Sequence, residues 1–188
     1  MRPATEAEVV HQYLKWHSQY GDAQALGIVT HPNLTDGAEN DARWKILAHD
    51  KGHAARVRYP FFDLERPDRW RPYRWSFGPF PHELFAVVLS TYGGFVTIDA
   101  IAQSFYHWRL IILDHEDNAP VIESNIRRLA EHEAAPADFN AMILCRPTPG
   151  FPPNVYRVVE GSKRAIAVRA AQLRGLRLPP IDAYWGEL

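Results

Sequence analysis

Five consecutive residues, Glu160-Gly161-Ser162-Lys163-Arg164, combine a glycine, a hydroxyl and two cations beside a carboxylate. Gly161 permits a tight turn and the close approach of a ligand to the backbone. Ser162 is placed to cap a helix, whose first N–H groups and positive dipole end favour an anion. Lys163 and Arg164 bring two positive charges to that same end. They oppose the dipole there, and on stability grounds alone they belong at the other terminus. A bound phosphate removes the conflict. The competing reading is a plain strand–helix turn with solvated Lys and Arg, and the coincidence of all four residue types in so short a span weighs against it. The pattern is not the Walker motif, which needs a longer glycine-spaced loop.

The flanking sequence supplies the elements that must position this turn. Val155–Val159 reads as a strand and Ser162–Arg174 as a helix, with Ile166, Ala170 and Leu173 on one face. Ala167 and Ala171 lie beside that face, and Gly175 is placed to end the helix. Pro180–Tyr184 reads as a final strand, Ala141–Cys145 as a strand before the turn and Pro147–Pro153 as a loop. At the other end of the chain, Thr5 and Glu8 form a capping box for a helix over Thr5–Tyr20. Ala42–His49 reads as a short helix and Arg56–Tyr59 as a strand. Prolines at 67, 72, 79 and 81 argue against long regular elements from Asp63 to Pro81. Pro81 suits the first turn of a helix running to Tyr92 and stopped by Gly93-Gly94. Phe95–Ile98 and Trp108–Leu113 read as strands. Asn118 is placed to cap a helix carrying Ile122, Ile126, Leu129 and Ala130 on one face, with Pro120 in its first turn. Strands and helices without a regular alternation predict an α+β fold, a mixed small sheet flanked by helices.

A strand, Glu160-Gly161-Ser162-Lys163-Arg164 as a G-x-x-R core, an Ala-rich helix and the Leu178-Pro-Pro-Ile-Asp-Ala-Tyr184 continuation together resemble the ParB/sulfiredoxin-like superfamily. The resemblance covers roughly the last third to half of the chain. It implies a small α+β core in which nucleotide phosphates lie on the helix N-terminus. By position, Gly161, Ser162, Lys163 and Arg164 would carry phosphate contacts, and Glu160 would be a metal ligand or base. Glu160 and Arg164 are then the candidate catalytic residues, with a nucleoside triphosphate and Mg²⁺ as the implied cofactors. The cysteine of sulfiredoxins is absent from the motif, as is the histidine common in kinase-like members; both departures bear on catalysis more than on binding. On this resemblance residues 81–188 form the nucleotide-binding core, and residues 1–80 a helical and Pro/Arg/aromatic-rich extension of one continuous globular unit.

Composition bounds the function classes. The 188 residues are 46% hydrophobic and 23% charged, ordinary for a globular protein, so disorder is not expected. A net charge of −1 argues against a general polyelectrolyte binder. Cys145 is the lone cysteine, which excludes a disulfide framework and a thiolate zinc cluster; its apolar neighbours suggest a buried residue. No signal peptide or membrane-length apolar run is visible, so a cytoplasmic location is expected.

Other constellations are weaker. Asp114 and Glu116 in Asp114-His-Glu-Asp-Asn118 are candidate Mg²⁺ ligands, against the reading of a solvated turn. His49-Asp50 with His53 faintly resembles a metal phosphohydrolase, which needs another upstream His and a distant Asp on a helical scaffold, and Gly52 weakens a helix here. Residues 56–75 interleave six arginines with six aromatic rings, the chemistry of single-strand binding, although Asp63, Glu65 and Asp68 offset half the charge and packing of rings by Arg is favoured. Two functional expectations result. One is nucleotide-phosphate binding at Gly161–Arg164, with phosphoryl transfer or nucleotide hydrolysis as the associated chemistry. The alternative is a non-catalytic DNA- or protein-binding module using the same basic helix end and residues 56–75.

Overall fold

A computed structural model describes residues 1–6, 8–9, 12, 73–89, 96–107, 118–132, 141–148 and 151–188. Within them, a five-stranded mixed sheet carries three α-helices, the compact α+β architecture expected. The strands are β1 (Arg2–Ala4), β2 (Arg74–Pro79), β3 (Met142–Arg146), β4 (Arg157–Glu160) and β5 (Asp182–Glu187). The helices are α1 (Ile98–His107), α2 (Asn118–His132) and α3 (Ser162–Leu173), and a 3₁₀ turn spans His82–Ala86.

The sheet order is β1-β2-β5-β3-β4. Neighbours are antiparallel except β3 and β5, whose parallel register runs from Met142↔Ala183 to Arg146↔Glu187. The sheet therefore draws strands from both sides of Pro81. Its alternation sorts two apolar faces. Met142, Leu144, Val158, Ala183 and Trp185 join Ile98, Ile101, Ile122, Ile126, Leu129 and the α3 residues in the main core. Ile143, Cys145 and Tyr184 alternate with them and are buried on the other side, where Trp75 and Phe77 pair with Gly186 and Tyr184.

α3 is the central helix. It packs against both α1 and α2, and Ala165, Ile166, Ala167, Val168, Ala170 and Ala171 are all buried. A helix apolar on nearly every side must lie inside, and alanines let its neighbours approach closely. Arg169 ties it to α1 through Asp99, and Gly175 turns the chain at φ 91°, ending the helix as expected.

Several local expectations hold. Thr5 and Glu8 form the capping box, with the Thr5 N–H donating to Glu8 Oε2 at 2.7 Å and the Glu8 N–H to Thr5 Oγ1 at 3.2 Å. Glu6, Glu8, Val9 and Gln12 are helical. Ile122, Ile126 and Leu129 are buried on α2, but Ala130 is exposed. Others are corrected. Of the helix expected from Pro81 to Tyr92, the described part, to Leu89, holds a five-residue 3₁₀ turn. It stops because Leu89 enters a bridge to β4: its N–H donates to Tyr156 O at 3.0 Å, and Val158 N–H donates to Leu89 O at 2.9 Å. Of the strand expected over Phe95–Ile98, Phe95 lies outside the described residues and Thr97 makes a single antiparallel bridge to Leu89; Ile98 already begins α1, whose start is capped by Thr97 Oγ1 accepting the Ala100 N–H at 3.2 Å. β2 is regular despite its prolines, because Pro72 and Pro79 flank or end it and its six residues pair in register with β5. Ala42–His49, Arg56–Tyr59 and Trp108–Leu113 lie outside the described residues.

Gly186 provides a packing test. A Cβ there would fall 2.7 Å from the Trp75 ring. Gly186→Ala is expected to displace that ring and lower unfolding free energy by about 1–3 kcal/mol, measured by urea denaturation.

Candidate functional site

β4 ends at Glu160, and the chain reverses through Gly161 at φ 96°, ψ 11°, before α3 begins. This left-handed conformation favours glycine. The space beside it is also taken: a Cβ would lie 3.0 Å from Arg164 Nη2, 3.1 Å from Met142 Cγ and 3.3 Å from Met142 Cα. Gly161 thus admits the close approach of the chain's own side chains. β3 supplies the floor of the turn through Met142, and the β3–β4 register shifts between Ile143 and Leu144 as the strand nears Glu160.

The cap differs from the expectation. Gly161, not Ser162, occupies the N-cap position, and no side chain caps the helix. Ser162 is already the first helical residue and is 4% exposed. The neighbouring carboxylate takes over part of the cap's role. Glu160 Oε1 accepts the Gly161 N–H at 2.9 Å and lies 3.6 Å from Arg164 Nη2. The two side chains are 12% and 3% exposed. A negative charge at a helix N-terminus is favourable, and here it also faces the first-turn guanidinium. The opposition between Arg164 and the helix dipole is therefore offset from within the chain. Lys163 stands in the same turn and is partly exposed.

The structure brings Glu160, Gly161, Ser162, Lys163 and Arg164 together as one buried or half-buried turn, with Arg164 directed inward. Asp114 and Glu116 lie outside the described residues, as do His49, Asp50 and His53. Among the described residues no group of three or more His, Cys, Asp or Glu side chains could hold a metal ion. Of residues 56–75 only Tyr73, Arg74 and Trp75 are described. Tyr73 and Trp75 are buried, and Tyr73 donates its hydroxyl hydrogen to Pro147 O at 2.9 Å, which is packing rather than base stacking. Cys145 is buried, and burial pushes its thiol well up, away from the thiolate a nucleophile needs.

A second polar cluster was not legible from spacing. The parallel pairing of β3 and β5 sets Arg146 beside Glu187, although they are 41 residues apart. Arg146 donates to Glu187 Oε1 through Nε at 2.9 Å and through Nη2, and the Tyr156 hydroxyl donates to the same oxygen. The Arg146 guanidinium lies over the Tyr156 ring, 4.3 Å from its centre. Hydrogen bonds from Tyr156 and then Arg146 hold the Glu187 carboxyl below its usual range. Burial, then the bond to Glu187, pushes the Tyr156 hydroxyl well up. This cluster sits at the carboxyl ends of the parallel strands, and the Glu160 turn lies at the opposite end of β3.

No protein-family model matches the chain, and neither a curated protein nor a solved structure does.

Three outcomes are expected. Gly161→Ala should destabilise the protein by about 1–3 kcal/mol through backbone strain alone, more if Met142 cannot shift, as read from chemical denaturation. Arg164→Met should lower stability by about 1–3 kcal/mol by removing the guanidinium that faces the Glu160 carboxylate, whereas Glu160→Met with Arg164→Met should recover most of that loss. Because the Glu187 carboxyl is lowered in the folded state, its contribution is present above the ordinary glutamate value of 4.5 and fades as pH falls through the lower folded value. Glu187→Gln should accordingly flatten the acid limb of a Tm-against-pH curve while leaving its neutral-pH slope unchanged.

Proposed function

We propose that the chain binds a phosphate-bearing ligand, in the first place a nucleotide, at the Gly161–Arg164 turn. The observation that carries this reading is the Glu160 carboxylate, one oxygen of which meets the Gly161 N–H at 2.9 Å and Arg164 Nη2 at 3.6 Å. The turn is thus built to hold an oxyanion, and a phosphate oxygen offers the same acceptor with more charge. Lys163, partly exposed on the same turn, supplies a second cation. The resemblance of the G-x-x-R core to the ParB/sulfiredoxin-like superfamily favours a nucleotide over other phosphates.

Binding has more support than chemistry. Phosphoryl transfer or nucleotide hydrolysis would place Glu160 as the base or as one carboxylate ligand of Mg²⁺, which takes one or two such ligands and completes its shell with phosphates and water. That role requires Glu160 to release Gly161 and Arg164 when the ligand enters. Arg164 would then neutralise the incoming phosphate, so the buried guanidinium keeps a counter-charge throughout.

A thermal-shift screen with ATP, CTP and GTP, each with and without Mg²⁺, tests the proposal. Binding to the native state raises Tm, and at millimolar nucleotide at least one should do so in wild type and markedly less in Lys163→Ala. Salt-sensitive DNA binding with no shift from any nucleotide would instead support the non-catalytic module.

A further inference from the structure

No further inference is drawn: the strongest candidate, the half-exposed Arg146–Tyr156–Glu187 side-chain cluster at the carboxyl ends of the parallel strands β3 and β5, is closed on itself through Glu187 Oε1, and nothing in the structure shows what would enter or cover it.

Discussion

A guanidinium buried in the first turn of a helix needs a counter-charge, and the ion pair that supplies it organises the end of the sheet. Arg164 is 2% exposed at the positive end of α3. Without an anion nearby, both burial and the helix dipole would oppose it. Glu160 answers both from the last position of β4, and the left-handed Gly161 between them brings the carboxylate back onto the helix. The turn then has little freedom. A side chain at Gly161 would press on Met142 and Arg164, so strand, turn and helix are fixed as one unit.

The rest of the fold holds that unit in place. α3 runs back across the sheet between α1 and α2, its alanines allowing close contact on several sides, and Arg169–Asp99 fastens its middle to α1. β4 is braced on its outer side by Leu89 and on its inner side by β3. No helix among the described residues is long and apolar enough to cross a membrane. Two polar clusters lie at the two ends of β3: Glu160 with Arg164 at one, Arg146 with Tyr156 and Glu187 at the other. The first involves a helix N-terminus and a tightly buried cation, whereas the second is a half-exposed ion pair stacked on a ring. That contrast is why anion binding is proposed for the first.

The C-terminal strand–turn–helix–strand was legible because its signals are local: β-branched residues before Gly161, helix formers after it, and Gly175 to stop them. The capping box at Thr5 and Glu8 was legible for the same reason. Errors arose where a local signal was outweighed or misread. Val96-Thr97-Ile98 looks like a strand by β-branching, yet Thr97 caps α1 and Ile98, Ile101 and Ala102 bury one helical face. The segment from Arg74 to Pro79 looked irregular by its prolines, but pairing with β5 dictates a strand. β1 is only three residues long and carries Pro3, which an edge strand tolerates. At the candidate site, residue types pointed to a strand–helix turn but not to its polarity. Sequence placed Ser162 as cap and both cations toward a ligand, whereas the fold makes Gly161 the cap and turns Arg164 onto Glu160. The Arg146–Glu187 contact follows from parallel strand pairing, which spacing does not encode.

The central claim is that this turn, and not another surface of the molecule, receives a phosphate oxygen. A titration of the ¹⁵N-labelled protein with inorganic pyrophosphate, followed by amide NMR, addresses it residue by residue. The account predicts saturable shifts that are largest at the N–H groups of Gly161, Ser162, Lys163 and Arg164, where an entering anion takes the place of Glu160. Saturable shifts centred elsewhere, or none at these four amides at millimolar pyrophosphate, would contradict it.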